Sequence, residues 1–189
     1  MFDHFGLIAP IYEKVIRPKP PETLFEAAEL PAEGALLDAG GGTGRISQFM
    51  EGRVDQILVA DLSYQMLQQA GEKSGLIPVN SHTERLPFPD DYFSRIIMVD
   101  ALHHVCDQEQ TARELWRVLA PGGVLVVEEP DFNVWFVKVV ALAEKLALMR
   151  SHFLDPEAIQ GLFHPFGAST EILKENYIAR VVVKKPPKG

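Results

Sequence analysis

The sequence predicts an α/β fold: a doubly wound, mostly parallel seven-stranded sheet that ends in a C-terminal antiparallel hairpin. Three observations predict it. Five short apolar runs (Ala35–Ala39, Gln56–Ala60, Leu76–Val79, Arg95–Val99 and Gly123–Glu128) have the length of buried strands and lack strict polar alternation. Strands covered on both faces read this way. Segments with helical spacing separate several of these runs, so consecutive strands connect by crossovers and lie parallel. Near the end, Ser169–Lys174 and Tyr177–Lys184 flank Glu175-Asn176 and read as a hairpin.

The elements follow in chain order. Phe5, Leu7, Ile8, Ile11, Tyr12, Val15 and Ile16 recur at helical spacing, and Pro18, Pro20 and Pro21 stop that helix. Glu22–Leu30 predicts a second short helix, and helices are also expected over Gly44–Glu51, Tyr64–Glu72 and Gln108–Leu119. The last of these buries Ala112, Leu115, Trp116, Val118 and Leu119, and Pro121-Gly122-Gly123 reads as the turn after it. Phe132–Arg150 is apolar on most sides. That pattern fits a helix covering the sheet, the wall of an apolar pocket, or a homodimer interface. Lys185–Gly189 is expected to fray.

Composition limits the function. The chain has 189 residues, of which 47% are hydrophobic and 23% charged, a length and balance that fit one globular domain over 1–189. Its single cysteine rules out an internal disulfide and a Cys-based zinc site, and fits a reducing cytoplasm. The isolated histidines His4, His152 and His164 lack ligand spacing, so no metal is expected. A formal net charge of −8 argues against a nucleic-acid partner. No stretch of about 18 uncharged apolar residues is present, so no membrane span is expected. Met1 to Pro10 has no signal-peptide pattern.

The most informative segment is Leu36-Leu37-Asp38-Ala39-Gly40-Gly41-Gly42-Thr43-Gly44, a strand leading through an acid into a glycine-rich turn. Glycines there permit positive φ and close approach of a ligand. The pattern is G-x-G-x-G, which differs from the dinucleotide G-x-G-x-x-G and lacks the Lys-Ser/Thr of a P-loop. Asp61 follows the second strand, 21 residues after Gly40, and its carboxylate suits the two hydroxyls of a ribose. The same residues also fit a ligand-free tight turn, with Asp61 capping the helix at Ser63.

Over Ala35 to Asp131 the sequence resembles the class I S-adenosylmethionine-dependent methyltransferases, and within them the ubiquinone/menaquinone C-methyltransferase branch. The resemblance rests on Leu37–Gly44, Ala60-Asp61-Leu62-Ser63, Met66-Leu67, Glu84-Arg85-Leu86-Pro87-Phe88-Pro89, Ala101-Leu102-His103-His104-Val105 and Leu119-Ala120-Pro121-Gly122-Gly123, in that order. It implies a Rossmann-like methyltransferase fold in three parts: an N-terminal helical segment over the site (1–31), a cofactor-binding core (35–131), and substrate-side helices with the closing hairpin (132–184). It implies S-adenosylmethionine as cofactor and S-adenosylhomocysteine as product. Gly40, Gly41, Gly42, Thr43 and Gly44 would hold the methionine and ribose, and Asp38 would face the amino group. Asp61 would bind the ribose, and Leu62 and Met66 would pack on adenine. Thr83 would sit at the adenine edge, and Val99, Asp100 and Ala101 near the sulfonium. Relatives carry an Asp where this chain has His82, whose neutral ring offers one acceptor.

Methyl transfer is an in-line displacement that requires alignment of a small-molecule acceptor, and a base only where the acceptor must lose a proton. His103, His104, Glu128, Glu129 and Asp131 stand at the strand ends, where they would serve as catalytic groups or as structural caps. Tyr12 matches a tyrosine near the start of quinone-type relatives. The leading expectation is methyl transfer to a partly apolar metabolite. The alternatives are a non-catalytic or regulatory protein binding the same cofactor and, less favoured by the glycine spacing, a nicotinamide-dependent oxidoreductase.

Overall fold

In the computed structural model, which describes residues 20–131 and 152–189, the strands are β1 (Ala35–Ala39), β2 (Gln56–Asp61), β3 (Leu76–Asn80), β4 (Phe93–Val99), β5 (Leu119–Pro130), β6 (Ser169–Glu175) and β7 (Ile178–Lys184). They form one sheet in the order β3-β2-β1-β4-β5-β7-β6. Pairs from β3 through β5 are parallel, while β7 runs antiparallel to β5 and β6. The doubly wound sheet and closing hairpin expected from the sequence are both present. The helices are α1 (Glu22–Ala27), α2 (Tyr64–Gly71), α3 (Gln108–Val118) and α4 (Pro156–Gly161). The expected helix before Pro18 and the segment Phe132–Arg150 lie outside the described residues.

Alternation along the strands divides the core into two layers. Leu37, Ile96, Met98, Leu125 and Val127 face one side, with Leu115 of α3 and Ile159 of α4. Leu36, Ile97, Val124 and Val126 face the other, with Phe25 of α1 and Leu67 of α2. Every residue of β1 is buried, as expected of a strand between two others with both faces covered. Three helices start on short polar caps: Ser63, Asp107 and Asp155 accept from Met66, Gln110 and Ala158 N–H groups. β6 is a sheet edge, and its charged Glu171, Lys174 and Glu175 discourage further pairing.

Three local expectations are corrected. The helix expected over Gly44–Glu51 is a single 3-10 turn, Ser47–Met50. Gly44 and Gly52, both left-handed at φ 70° and 76°, bracket that segment and end its helical backbone on either side. Pro121-Gly122-Gly123 does not break the chain into a turn but bulges within β5. Phe93 stands opposite Leu119 and Arg95 opposite Val124, while Gly122 N–H donates to the Lys185 carbonyl at 2.9 Å.

That last contact also overturns the frayed tail. Lys185 Nζ donates to the Trp116 and Leu119 carbonyls at 2.9 and 2.7 Å and pairs with Asp91 at 2.8 Å. It thereby satisfies carbonyls at the end of α3, where a cation is favoured. Lys188 adds a second contact to Asp91 at 2.9 Å. Lys185→Ala should lower stability by about 1.5–3 kcal/mol, the value of a charged hydrogen bond. Urea denaturation measures it, and an unchanged midpoint would show that the tail contributes nothing.

Candidate functional site

The order β2-β1-β4 places a topological switch point between β1 and β4, the place where open α/β sheets bind ligands beyond their strand ends. The glycine turn follows β1 there. Gly40 and Gly41 N–H groups donate to the Ala60 carbonyl at 2.7 and 3.3 Å, tying the turn to β2. Gly40, Gly42 and Gly44 have φ of 73°, 56° and 70°, a region that favours glycine. A Cβ on Gly40 would lie 2.6 Å from the Ala101 Cβ, and one on Gly41 would lie 2.4 Å from the Asp38 carboxylate. Thr43 is buried, and its carbonyl accepts from Lys73 Nζ at 2.7 Å.

Asp61, at the end of β2, locks the turn from the side. Its Oδ2 accepts from Gly42 N–H at 2.9 Å and its Oδ1 from Ser63 N–H at 2.7 Å. The capping role and the glycine-turn role read from the sequence are therefore combined in one carboxylate. A carboxylate oxygen can accept more than one hydrogen bond, so these contacts are compatible with a ribose hydroxyl at the same carboxylate. Leu62 is 52% exposed on the rim beside it, whereas Met66 is buried. His82 is mostly exposed, 3.8 Å from Glu84. Thr83 is buried, its hydroxyl 3.3 Å from that of Thr111 in α3. Glu84 accepts from Cys106 and Asp107 N–H groups at 3.0 and 3.4 Å and pins its loop to the start of α3.

The turn after β4 forms the opposite lip. Val99 is half-buried, and Asp100 takes φ 51°, a strained conformation for a non-glycine residue. Its neighbours hold it there. Asp100 N–H donates to the Glu128 carbonyl at 3.0 Å, and Glu129 Oε1 accepts from Ala101 and Leu102 N–H groups at 3.1 and 2.7 Å. The other Glu129 oxygen pairs with His103 Nδ1, and His103 stacks on Phe153 with ring centroids 4.3 Å apart. Glu128 pairs with buried Arg180 at 2.6 Å, and Asp131 lies 3.5 Å from Lys174. His103, Glu128, Glu129 and Asp131 thus make structural contacts. Tyr12 lies outside the described residues. Sequence reasoning missed Arg45, which reaches from the glycine turn to Asp100 at 3.6 Å. Its signal was a lone cation directly after a glycine turn rich in acidic neighbours.

Burial and charge set the electrostatics. Burial pushes the Asp38 carboxyl up to about 7; the Asp61 charge adds to this, and Ser47 and Arg45 oppose it. Asp38 Oδ2 and Ser47 Oγ are buried without a well-aligned hydrogen bond. Desolvation and the Glu129 charge move Asp100 up to about 6, although its side chain is 48% exposed, and water at that face works against the shift. Burial, then the His103 charge, lowers His104 to about 4, so its ring is neutral at pH 7. Among the described residues no cluster of His, Cys, Asp and Glu is arranged to hold a metal, and no helix is long and apolar enough to cross a membrane.

The Asp38 shift has a definite sign. A carboxyl that holds its proton more tightly folded than unfolded contributes stability below the ordinary carboxylate range. That contribution is lost as pH rises toward about 7. Asp38→Asn, which stays neutral, should flatten the decline in urea-denaturation midpoint between pH 5 and pH 8. An unchanged slope would assign the decline to another group.

Residues 37–127 match the family model described as a methyltransferase domain. The ubiquinone/menaquinone biosynthesis C-methyltransferase UbiE of Vibrio vulnificus is 38% identical over 104 residues, covering 50% of this chain and 40% of the relative. The chain therefore spans less than half the length of that relative. A SAM-dependent methyltransferase from Thermotoga maritima shares the fold over 98% of this chain and 100% of its own, with a TM-score of 0.79 and 21% identity. The cyclase SpnF shares it over 97% and 95%, with a TM-score of 0.73 and 16% identity. Residues 37–127 thus carry a methyltransferase domain, and the chain around them has the fold of solved S-adenosylmethionine-dependent methyltransferases.

Proposed function

We propose that the chain transfers a methyl group from S-adenosylmethionine to a small, partly apolar acceptor in the cytoplasm, and that the acceptor is not a nucleic acid. The observation that carries the reading is the link from Asp61 to the glycine turn, through Gly42 N–H at 2.9 Å, at the switch point of the sheet. The residues fit that cofactor. Buried Asp38 Oδ2 has no partner and suits an ammonium group, and Gly40 and Gly41 pack so closely that any side chain would block the turn. The rim position of Leu62 suits an apolar ring face. The acceptor class follows the name of the Vibrio relative, ubiquinone/menaquinone biosynthesis.

When bound, the cofactor supplies a methyl carbon activated by its sulfonium. The chain's own task is placement. Asp61 would orient the ribose and the glycine turn would hold the methionine side, while the Glu129-braced turn fixes Ala101 against Gly40. Since methyl transfer needs no fixed base, the structural engagement of Glu128, Glu129 and Asp131 is compatible with turnover. A second reading, binding without turnover, is favoured by His82, which puts an exposed imidazole where relatives place a carboxylate.

Calorimetric titration with S-adenosylhomocysteine tests the reading. The chain should bind it, and Asp61→Ala should weaken binding by about 1.5–3 kcal/mol, the loss of a charged hydrogen bond. An absence of heat at millimolar ligand would remove the proposed cofactor. Binding without methyl loss to any acceptor would favour the second reading.

A further inference from the structure

His103 sits where several pieces of chain meet. It belongs to the 3-10 turn Leu102–His104 that follows β4, and it is buried together with Glu129 near the end of β5. Its Nδ1 pairs with one Glu129 oxygen, and the other accepts from Ala101 and Leu102 N–H groups. The His103 carbonyl accepts from His152 N–H at 2.7 Å. Its ring stacks on Phe153, with centroids 4.3 Å apart and planes 13° from parallel. Gln108, the first residue of α3, closes the group. Its Nε2 donates to the Leu102 carbonyl at 3.1 Å and to the His152 carbonyl at 2.7 Å. Both protons of one side-chain amide are thus used to join two distant pieces of chain. Glu129 alone already satisfies the Ala101 and Leu102 amides. The contacts to His152 and Phe153 add nothing to those amides; they attach a different segment to the turn.

We propose that Gln108 and His103 are positioning residues that lock residues 152–153 to the turn after β4, so that a cofactor seated against that turn also fixes the acceptor side. The inference rests on the cofactor reading above and adds how the two substrate sides are linked. Residues 152–153 open the described part of 132–184, the stretch read from the sequence as the acceptor side. The route between the two sides is short. Ala101 packs against Gly40 in the crevice, Ala101 and Leu102 share one Glu129 oxygen, and the other holds His103. His103 then holds His152 directly, and Leu102 holds it through Gln108. Residues 152–153 can shift against the turn only by breaking the ring stack and these hydrogen bonds together, which makes the network a contiguous carrier of coupling. Such alignment of acceptor with donor is what an in-line transfer demands of the protein.

Amide hydrogen exchange of the full chain, followed by NMR with and without S-adenosylhomocysteine, tests the link. With the nucleoside bound, the His152 N–H should exchange about tenfold or more slowly, together with those of Ala101 and Leu102, because a ligand that binds the closed arrangement suppresses local opening. Gln108→Glu suits the first turn of a helix, but its carboxylate cannot donate to the two carbonyls. In that variant the His152 amide should lose its ligand-dependent slowing while Ala101 and Leu102 keep theirs, and Gln108→Ala should behave alike. A wild-type chain in which Ala101 and Leu102 slow but His152 does not would overturn the proposal without using any variant. Slowing of His152 that survives in both variants would overturn it as well. Failure of the wild-type chain to bind S-adenosylhomocysteine in calorimetry would instead overturn the cofactor reading itself.

Discussion

The candidate site depends on one close approach, that of Gly40 to Ala101. A Cβ at position 40 would sit 2.6 Å from the Ala101 Cβ, so the turns after β1 and β4 touch with no room for a side chain between them. Each turn is held from its far side. The Ala60 carbonyl fixes Gly40 and Gly41 from β2, and Glu129 fixes Ala101 and Leu102 from β5. Four adjacent strands thereby converge on a contact made by the smallest side chains. Removing the Glu129 carboxylate would leave buried amides unpaired and release Ala101, a more costly loss than that of any surface ion pair.

Acidic groups crowd this contact, and the way each is compensated separates scaffold from site. Glu128 is answered by Arg180, Glu129 by His103 and two amides, and Asp131 by Lys174. Those three brace the end of β5 against its neighbours. Asp38, Asp61 and Asp100 are different. Asp61 accepts from the glycine turn and from Ser63, Asp100 meets Arg45 at 3.6 Å, and one Asp38 oxygen has no partner. The proposed cofactor, with its positive charge and ribose hydroxyls, would find its acidic contacts in the second set.

The sheet was legible because burial on two faces leaves a direct trace in sequence. The five apolar runs mark β1 to β5 within a few residues, and the Glu175-Asn176 pair marks the hairpin. The elements that were misread are short and decided by tertiary contacts. A helix over Gly44–Glu51 satisfies local periodicity, but two left-handed glycines cut it to one 3-10 turn. The lysine-rich tail looks solvated until Asp91, Trp116 and Leu119 are brought beside Lys185 by the sheet. The glycine turn and Asp61 were legible for a similar reason, since both are fixed by backbone geometry at a set spacing. The partners of Glu84, Glu129 and Arg45 were not, because each contact spans many residues of chain and has no local pattern.

Of the two titratable groups flanking the post-β4 turn, Asp100 is the one suited to respond to a ligand. His104 is held neutral by burial and by the His103 charge, so it neither attracts an anion nor balances a cation near pH 7. Asp100 is lifted only to about 6 and keeps one face to solvent, so it is mostly charged at pH 7. A sulfonium or ammonium beside it would deepen that ionisation, and the strain of its backbone is already sustained by β5. The anchor at Glu129 therefore serves a purpose beyond the sheet. It holds a carboxylate at the crevice mouth in a conformation that an unbraced turn would abandon.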